Sequence, residues 1–186
     1  MANRAYLYSG DKELKKLRDL SESRHPIPLI YKIVLGCDTK MTNSRIWDYD
    51  EAPIAIQGDF KKGIEKLYQF LDYLKTQPID LQLVASCKNE TSEFFSNHPD
   101  RQLDLFLLEA GEIFDLTGDI DPIGNQNKGL FDEINKISED ISEILKNKPE
   151  NVFEAVDSYW LKTLKEDIEL ITPYWTHVTY NSFNKS

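Results

Sequence analysis

The sequence predicts a single α+β domain over residues 1–186: a small mixed or antiparallel sheet packed against helices, with a C-terminal antiparallel αα-hairpin over about 127–172. Three observations predict it. Three short aromatic or β-branched segments bounded by turn residues, Ala5 to Tyr8, Ile46-Trp47 and Ile54 to Ile56, read as strands. Two later segments repeat apolar residues at alternating spacings of 4 and 3, the period of an amphipathic helix. The composition, 40% hydrophobic and 29% charged over 186 residues, is that of a chain with its own core. A domain of this size buries roughly 70% of its unfolded surface, so neither metal nor disulfide is required to hold it. No linker or internal repeat interrupts it.

Ala5-Tyr6-Leu7-Tyr8 reads as a first strand, closed by the turn Ser9-Gly10-Asp11. Asp11 is expected to cap a polar helix whose narrow stripe is Leu14, Leu17 and Leu20. His25-Pro26-Ile27-Pro28 forces extended chain, because proline disfavours helix in the residue before it. Leu29 to Leu35 reads as a helix stopped by Gly36, with a strand as the alternative, and a polar loop runs from Cys37 to Ser44. Ile46-Trp47 and Ile54-Ala55-Ile56 are expected as short strands around the acidic turn Asp48-Tyr49-Asp50-Glu51. Asp59 then caps a helix carrying Phe60, Ile64, Leu67, Leu71 and Leu74, which Pro78 ends. Leu81 to Ala85 is apolar and ambiguous.

Leu103 to Leu116 admits a β-hairpin turning at Ala110-Gly111 or one buried helix. A mid-helix glycine costs about 1 kcal/mol, which favours the hairpin. The following Thr117 to Gly129 is the richest turn segment and is expected as a long surface loop. Leu130, Ile134, Ile137, Ile141 and Ile144 mark one long helix, with acids near its start and lysines near its end to complement its dipole. Phe153, Val156, Trp160, Leu164, Ile168 and Ile171 mark a second, ended by Pro173, and the short link between them makes the hairpin.

The charge narrows the function. Twenty-two basic against 32 acidic side chains leave a net charge of −10, which repels phosphates and argues against nucleic acid as a partner. The acidity is uneven: residues 1–45 carry net +4, whereas 87–126 carry 9 acids against only Lys88 and Arg101. No signal-peptide run opens the sequence and no apolar stretch reaches membrane-spanning length, so a cytoplasmic protein without a membrane partner is expected. Cys37 and Cys87 sit in unlike contexts and are expected to be independent thiols in a reducing compartment.

Chemistry is sparse. His25, His98 and His177 are isolated in sequence, and phosphate-loop, dinucleotide and nucleophile-elbow motifs are absent. No catalytic residue, cofactor or metal site is therefore assigned. Two sets of carboxylates remain: Asp48, Asp50 and Glu51 around Tyr49, and Asp115, Asp119 and Asp121 in the long loop. The second set lacks the register and late glutamate of a calcium-binding hand. Glu109 and Glu112 flank Gly111 at the spacing of a general acid–base pair, without a partner group indicated. Trp47 and Tyr49 lie among the first set, and rigid aromatic surface beside carboxylates is the material of a protein-recognition face.

The opening Met1-Ala2-Asn3-Arg4-Ala5-Tyr6-Leu7-Tyr8-Ser9 is one of five segments that carry a resemblance. The others are Ile27 to Lys32, Ile46-Trp47, the block from Ile54 to Asp72, and Leu107 to Asp115. Together they resemble a family of uncharacterised bacterial proteins beginning "MANRxYLY", over roughly residues 1–145. The resemblance brings no catalytic residues. Small acidic single-domain proteins of this kind are similar in general character to the immunity proteins of bacterial toxin systems. The expectation is thus a cytoplasmic protein-binding module, an immunity protein neutralising a basic toxin domain. Its surface is placed at Trp47, Asp48, Tyr49, Asp50, Glu51, Asp115, Asp119 and Asp121. The rival expectations are a small metal-dependent hydrolase using Asp48, Asp50, Asp119 or Asp121, and a regulatory or scaffold protein.

Overall fold

The computed structural model describes residues 3–183. Residues 1–2 and 184–186, the outer ends of the domain expected over 1–186, lie outside the described residues. Five antiparallel strands form one sheet in the order β2-β1-β5-β4-β3, so the α+β class holds. They are β1 (Arg4–Gly10), β2 (Leu17–Arg24), β3 (Lys40–Thr42), β4 (Ala55–Asp59) and β5 (Leu105–Glu109). The central strands are buried on both faces, which follows from side chains alternating across the pleat. Ala5, Leu7, Ile56, Phe106 and Leu108 point into the main core with the helices. Tyr6, Tyr8, Ala55 and Leu107 face the other way, under Leu14, Leu17, Ile46 and Phe183.

The helices are α1 (Leu29–Val34), α2 (Phe60–Leu74), α3 (Leu81–Asn97), α4 (Gly111–Asp115), α5 (Ile123–Asn147), α6 (Val152–Ala155) and α7 (Tyr159–Glu166). Asp59 accepts from the Lys62 N–H and so caps α2, and Asp80 accepts from Gln82 and Leu83 to cap α3. All five apolar positions expected on α5, from Leu130 to Ile144, are buried. No helix among the described residues is long and apolar enough to cross a membrane. Both cysteines are free thiols.

The structure corrects five local expectations. The helix expected after Asp11 is a tight turn leading into β2. The Asp11 carboxylate accepts from the N–H groups of Lys15 and Lys16, and Leu14 takes φ 54°, a conformation no helix contains. Ile46-Trp47 is not a strand, because Ser44 draws its backbone into a bend. The segment 103–116 is neither hairpin nor single helix. Its first half is β5, and the chain turns at Ala110 into the short α4. The loop expected over 117–129 ends at Pro122, whose fixed φ of −53° starts α5 at Ile123. Finally, the continuous helix expected over 153–171 is α6, α7 and a 3-10 turn at Ile168–Ile171. Val156, Asp157 and Ser158 break it, two of them residues whose side chains compete for backbone groups.

Close approach of α1 and α2 depends on Gly63. A Cβ at that position would land on the Val34 carbonyl oxygen and lie 3.0 Å from its carbon and 3.2 Å from the Phe106 ring. Gly63→Ala gains about 1 kcal/mol of helix propensity but overpacks a backbone contact. A net loss of about 1–2 kcal/mol is expected in urea denaturation, and an unchanged or raised midpoint would sink this packing argument.

Candidate functional site

Antiparallel pairing brings three strand ends together at one end of the sheet. Tyr6 pairs with Glu109, and Glu109 pairs with Ala55. The start of β1, the end of β5 and the start of β4 therefore lie side by side, although Tyr6, Ala55 and Glu109 are far apart in sequence. Around these strand ends lie the acidic residues Asp48, Glu112 and Asp115.

Glu109 is fully buried. Its carboxylate accepts from the Ser44 hydroxyl at 2.7 Å and from the Arg45 N–H at 2.5 Å. The Ser44 oxygen in turn accepts from the N–H groups of Ile46, at 3.0 Å, and Trp47, at 2.8 Å. One buried carboxyl thus fixes the backbone of the loop that carries Trp47, Asp48 and Tyr49. Burial pushes the Glu109 carboxyl up to about 7, opposed by the two hydrogen bonds it accepts. The Trp47 indole lies against Gly111, where a Cβ would sit 2.7 Å from Cδ1 and 2.9 Å from Nε1. Only a residue without a side chain lets the ring lie that close.

Glu112, in the first turn of α4, ties three segments together. It accepts from the Arg4 N–H at 3.0 Å, the Tyr6 hydroxyl at 2.8 Å and the Asn181 amide at 3.4 Å. Burial, followed by the bond to Glu112, raises the Tyr6 phenol above its ordinary range. The C-terminal segment is brought here by Asp19, buried in β2, which accepts from Thr179 N–H at 2.9 Å and Phe183 N–H at 3.1 Å. The Tyr8 hydroxyl donates to the Asn181 carbonyl at 2.8 Å. Tyr180 so arrives beneath Arg4, whose guanidinium carbon is 4.8 Å from the ring centroid while Nε lies 3.5 Å from Glu22.

The result is a cleft of about 640 Å³ with Arg4, Trp47, Asp48, Tyr49, Glu112 and Tyr180 among its lining. Ile54 and Ile123 add apolar surface, and Asp115 is also in the lining. Four of the residues expected from sequence, Trp47, Asp48, Tyr49 and Asp115, therefore meet in one place. The other four do not line the cleft. Asp50 and Glu51 continue the exposed loop, where Glu51 accepts from the Tyr49 hydroxyl at 3.2 Å. Asp119 and Asp121 are exposed on the turn between α4 and α5. Beside them Leu116 and Ile120 are 62% and 88% exposed. Among the described residues none of Asp48, Asp50, Glu51, Asp115, Asp119 and Asp121 is in an ion pair.

Arg4, Glu112, Tyr180 and Asn181 were missing from the sequence expectation as a set, because only tertiary pairing puts them in the cleft. The Glu109–Glu112 spacing does not produce an acid–base pair: Glu112 opens on the cleft, and Glu109 is sealed beneath the loop. Among the described residues no three His, Cys, Asp or Glu side chains gather as a metal-holding group. The isolated histidines do not all stay apart, for His98 and His177 stack with centroids 5.3 Å apart.

Residues 7–150 match a family model described as a domain of unknown function, DUF7822. No curated protein and no solved structure matches the chain.

Proposed function

The chain belongs to the DUF7822 family, a description that names no activity, and we propose that it is a cytoplasmic protein-binding module whose partner presents a basic surface. Its most concrete form is an immunity protein that neutralises a cognate basic toxin by direct contact. One observation carries the reading. An exposed surface joins Trp47, Asp48 and Tyr49 to Asp115, and continues into a turn where Asp119 and Asp121 flank the protruding Ile120. Aromatic and aliphatic anchors beside carboxylates that no ion pair among the described residues neutralises are what a basic protein surface would engage. Uncompensated charge of one sign also speeds encounter with a partner of the opposite sign.

The test uses a partner recovered by affinity capture and then purified. Replacing Asp115, Asp119 and Asp121 by Asn is expected to slow its association at low salt by about tenfold and to flatten the salt dependence. The thermal midpoint should stay put, since these exposed carboxylates are in no ion pair among the described residues. Wild-type association rates at both low and high salt would overturn the acidic-surface reading.

A further inference from the structure

The cleft has chemistry beyond negative charge. Its lining brings three aromatic rings, Trp47, Tyr49 and Tyr180, to three carboxylates, Asp48, Glu112 and Asp115. Arg4 is the one cation in that lining, so the lined surface carries net −2. Its volume, about 640 Å³, is that of an ordinary ligand pocket, and part of it is apolar. The walls are held from behind: Trp47 by Gly111 and by Ser44, Tyr180 by its N–H donated to Glu22 at 2.8 Å. Trp47 is 40% exposed, and its indole N–H donates to no acceptor among the described residues.

We propose that this cleft receives an arginine side chain presented by the partner protein, an assignment that rests on the protein-binding reading above. A guanidinium is planar, stacks on aromatic faces and forks onto carboxylates, whereas an ammonium is a compact, strongly hydrated point charge. The molecule already builds this arrangement once at the edge of the same cleft, where Arg4 lies over Tyr180 beside Glu22. Asp48 and Asp115 are the two lining carboxylates with no hydrogen bond or ion pair among the described residues, so they are free to take the fork. Glu112 has committed both oxygens to Arg4, Tyr6 and Asn181 and acts as wall and background charge. The incoming guanidinium stacks on Trp47 or Tyr49, and the chain that bears it runs out across the Asp119–Asp121 turn.

The whole protein, labelled with nitrogen-15, is titrated with capped tri-arginine, tri-lysine and tri-glutamate peptides, reading the indole N–H signals of Trp47, Trp160 and Trp175. Tri-arginine is expected to move the Trp47 signal saturably and to bind at least fivefold more tightly than tri-lysine, with tri-glutamate inert. Asp48→Asn with Asp115→Asn is expected to weaken tri-arginine at least tenfold while Trp160 and Trp175 keep their positions, which reports an intact fold. An unmoved Trp47 signal, equal binding of the two basic peptides, or unchanged affinity in the double variant each overturns the assignment. The two readings separate cleanly. If the purified partner still depends on Asp119 and Asp121 while tri-arginine leaves Trp47 unmoved, the arginine assignment falls alone.

Discussion

Ile141→Ala is expected to lower stability by about 2–5 kcal/mol, the range for emptying a fully buried aliphatic site. Ile141 has no exposed surface and belongs to the core formed by α1, α2 and α5 with Trp160 and Leu164 of α7. Its neighbours one turn away on α5, Ile137 and Ile144, are themselves buried, so α5 has no means of shifting to refill the hole. For a chain of this length the thermal midpoint should fall roughly 2–4 °C per kcal/mol. Urea denaturation decides it: an unchanged midpoint with an unchanged slope would remove α5 from the core.

The second large effect is a dependence on pH. The folded Glu109 carboxyl titrates near 7, above its ordinary 4.5, because burial disfavours the charge. Below about pH 4.5 the group is protonated in both folded and unfolded chains. Between 4.5 and 7 the unfolded chain releases the proton while the folded one keeps it, so stability falls as pH rises through that window and levels off above it. At about 1.4 kcal/mol per tenfold, the full fall is about 3 kcal/mol. Glu109→Gln removes the titrating proton while keeping one acceptor for Ser44 or Arg45. Unfolding free energies from pH 4.5 to 8 should therefore fall more steeply in the wild type than in the variant. Equal slopes would show that the carboxyl is not held in this way.

What could be read from sequence divides along physical lines. Helices α2 and α5 were legible because each buries one stripe against the rest of the fold, and the stripe leaves its period in the sequence. Strand β5 was legible only as the first arm of an expected hairpin, since Leu105 to Glu109 is covered on both faces and shows no alternation, and the expected second arm is the helix α4. Leu14, Leu17 and Leu20 imitate a helical stripe by accident of spacing. Leu14 belongs to a turn and the other two to β2, where a register shift opposite Leu7 and Tyr8 changes the faces. The cleft was half legible. Composition located Trp47, Asp48, Tyr49 and Asp115, because exposed aromatics and clustered acids are visible in one dimension. Arg4, Glu112 and Tyr180 reach them through contacts that span more than 100 positions, and no local pattern records those.

The strap from Thr172 to Phe183, pinned by Asp19, has a consequence for how the molecule comes into being. A ribosome releases β1 early, yet β1 finds its neighbour β5 only after about a hundred more residues have emerged, and Tyr180 arrives later still. Pairings that distant make folding slow relative to a helical bundle of equal length. The cleft, lined in part by Tyr180, is therefore completed only after β1, β4 and β5 have all been made. A ligand that fitted it would meet the full lining only on a chain that has passed Tyr180, and by mass action would hold the folded form more firmly.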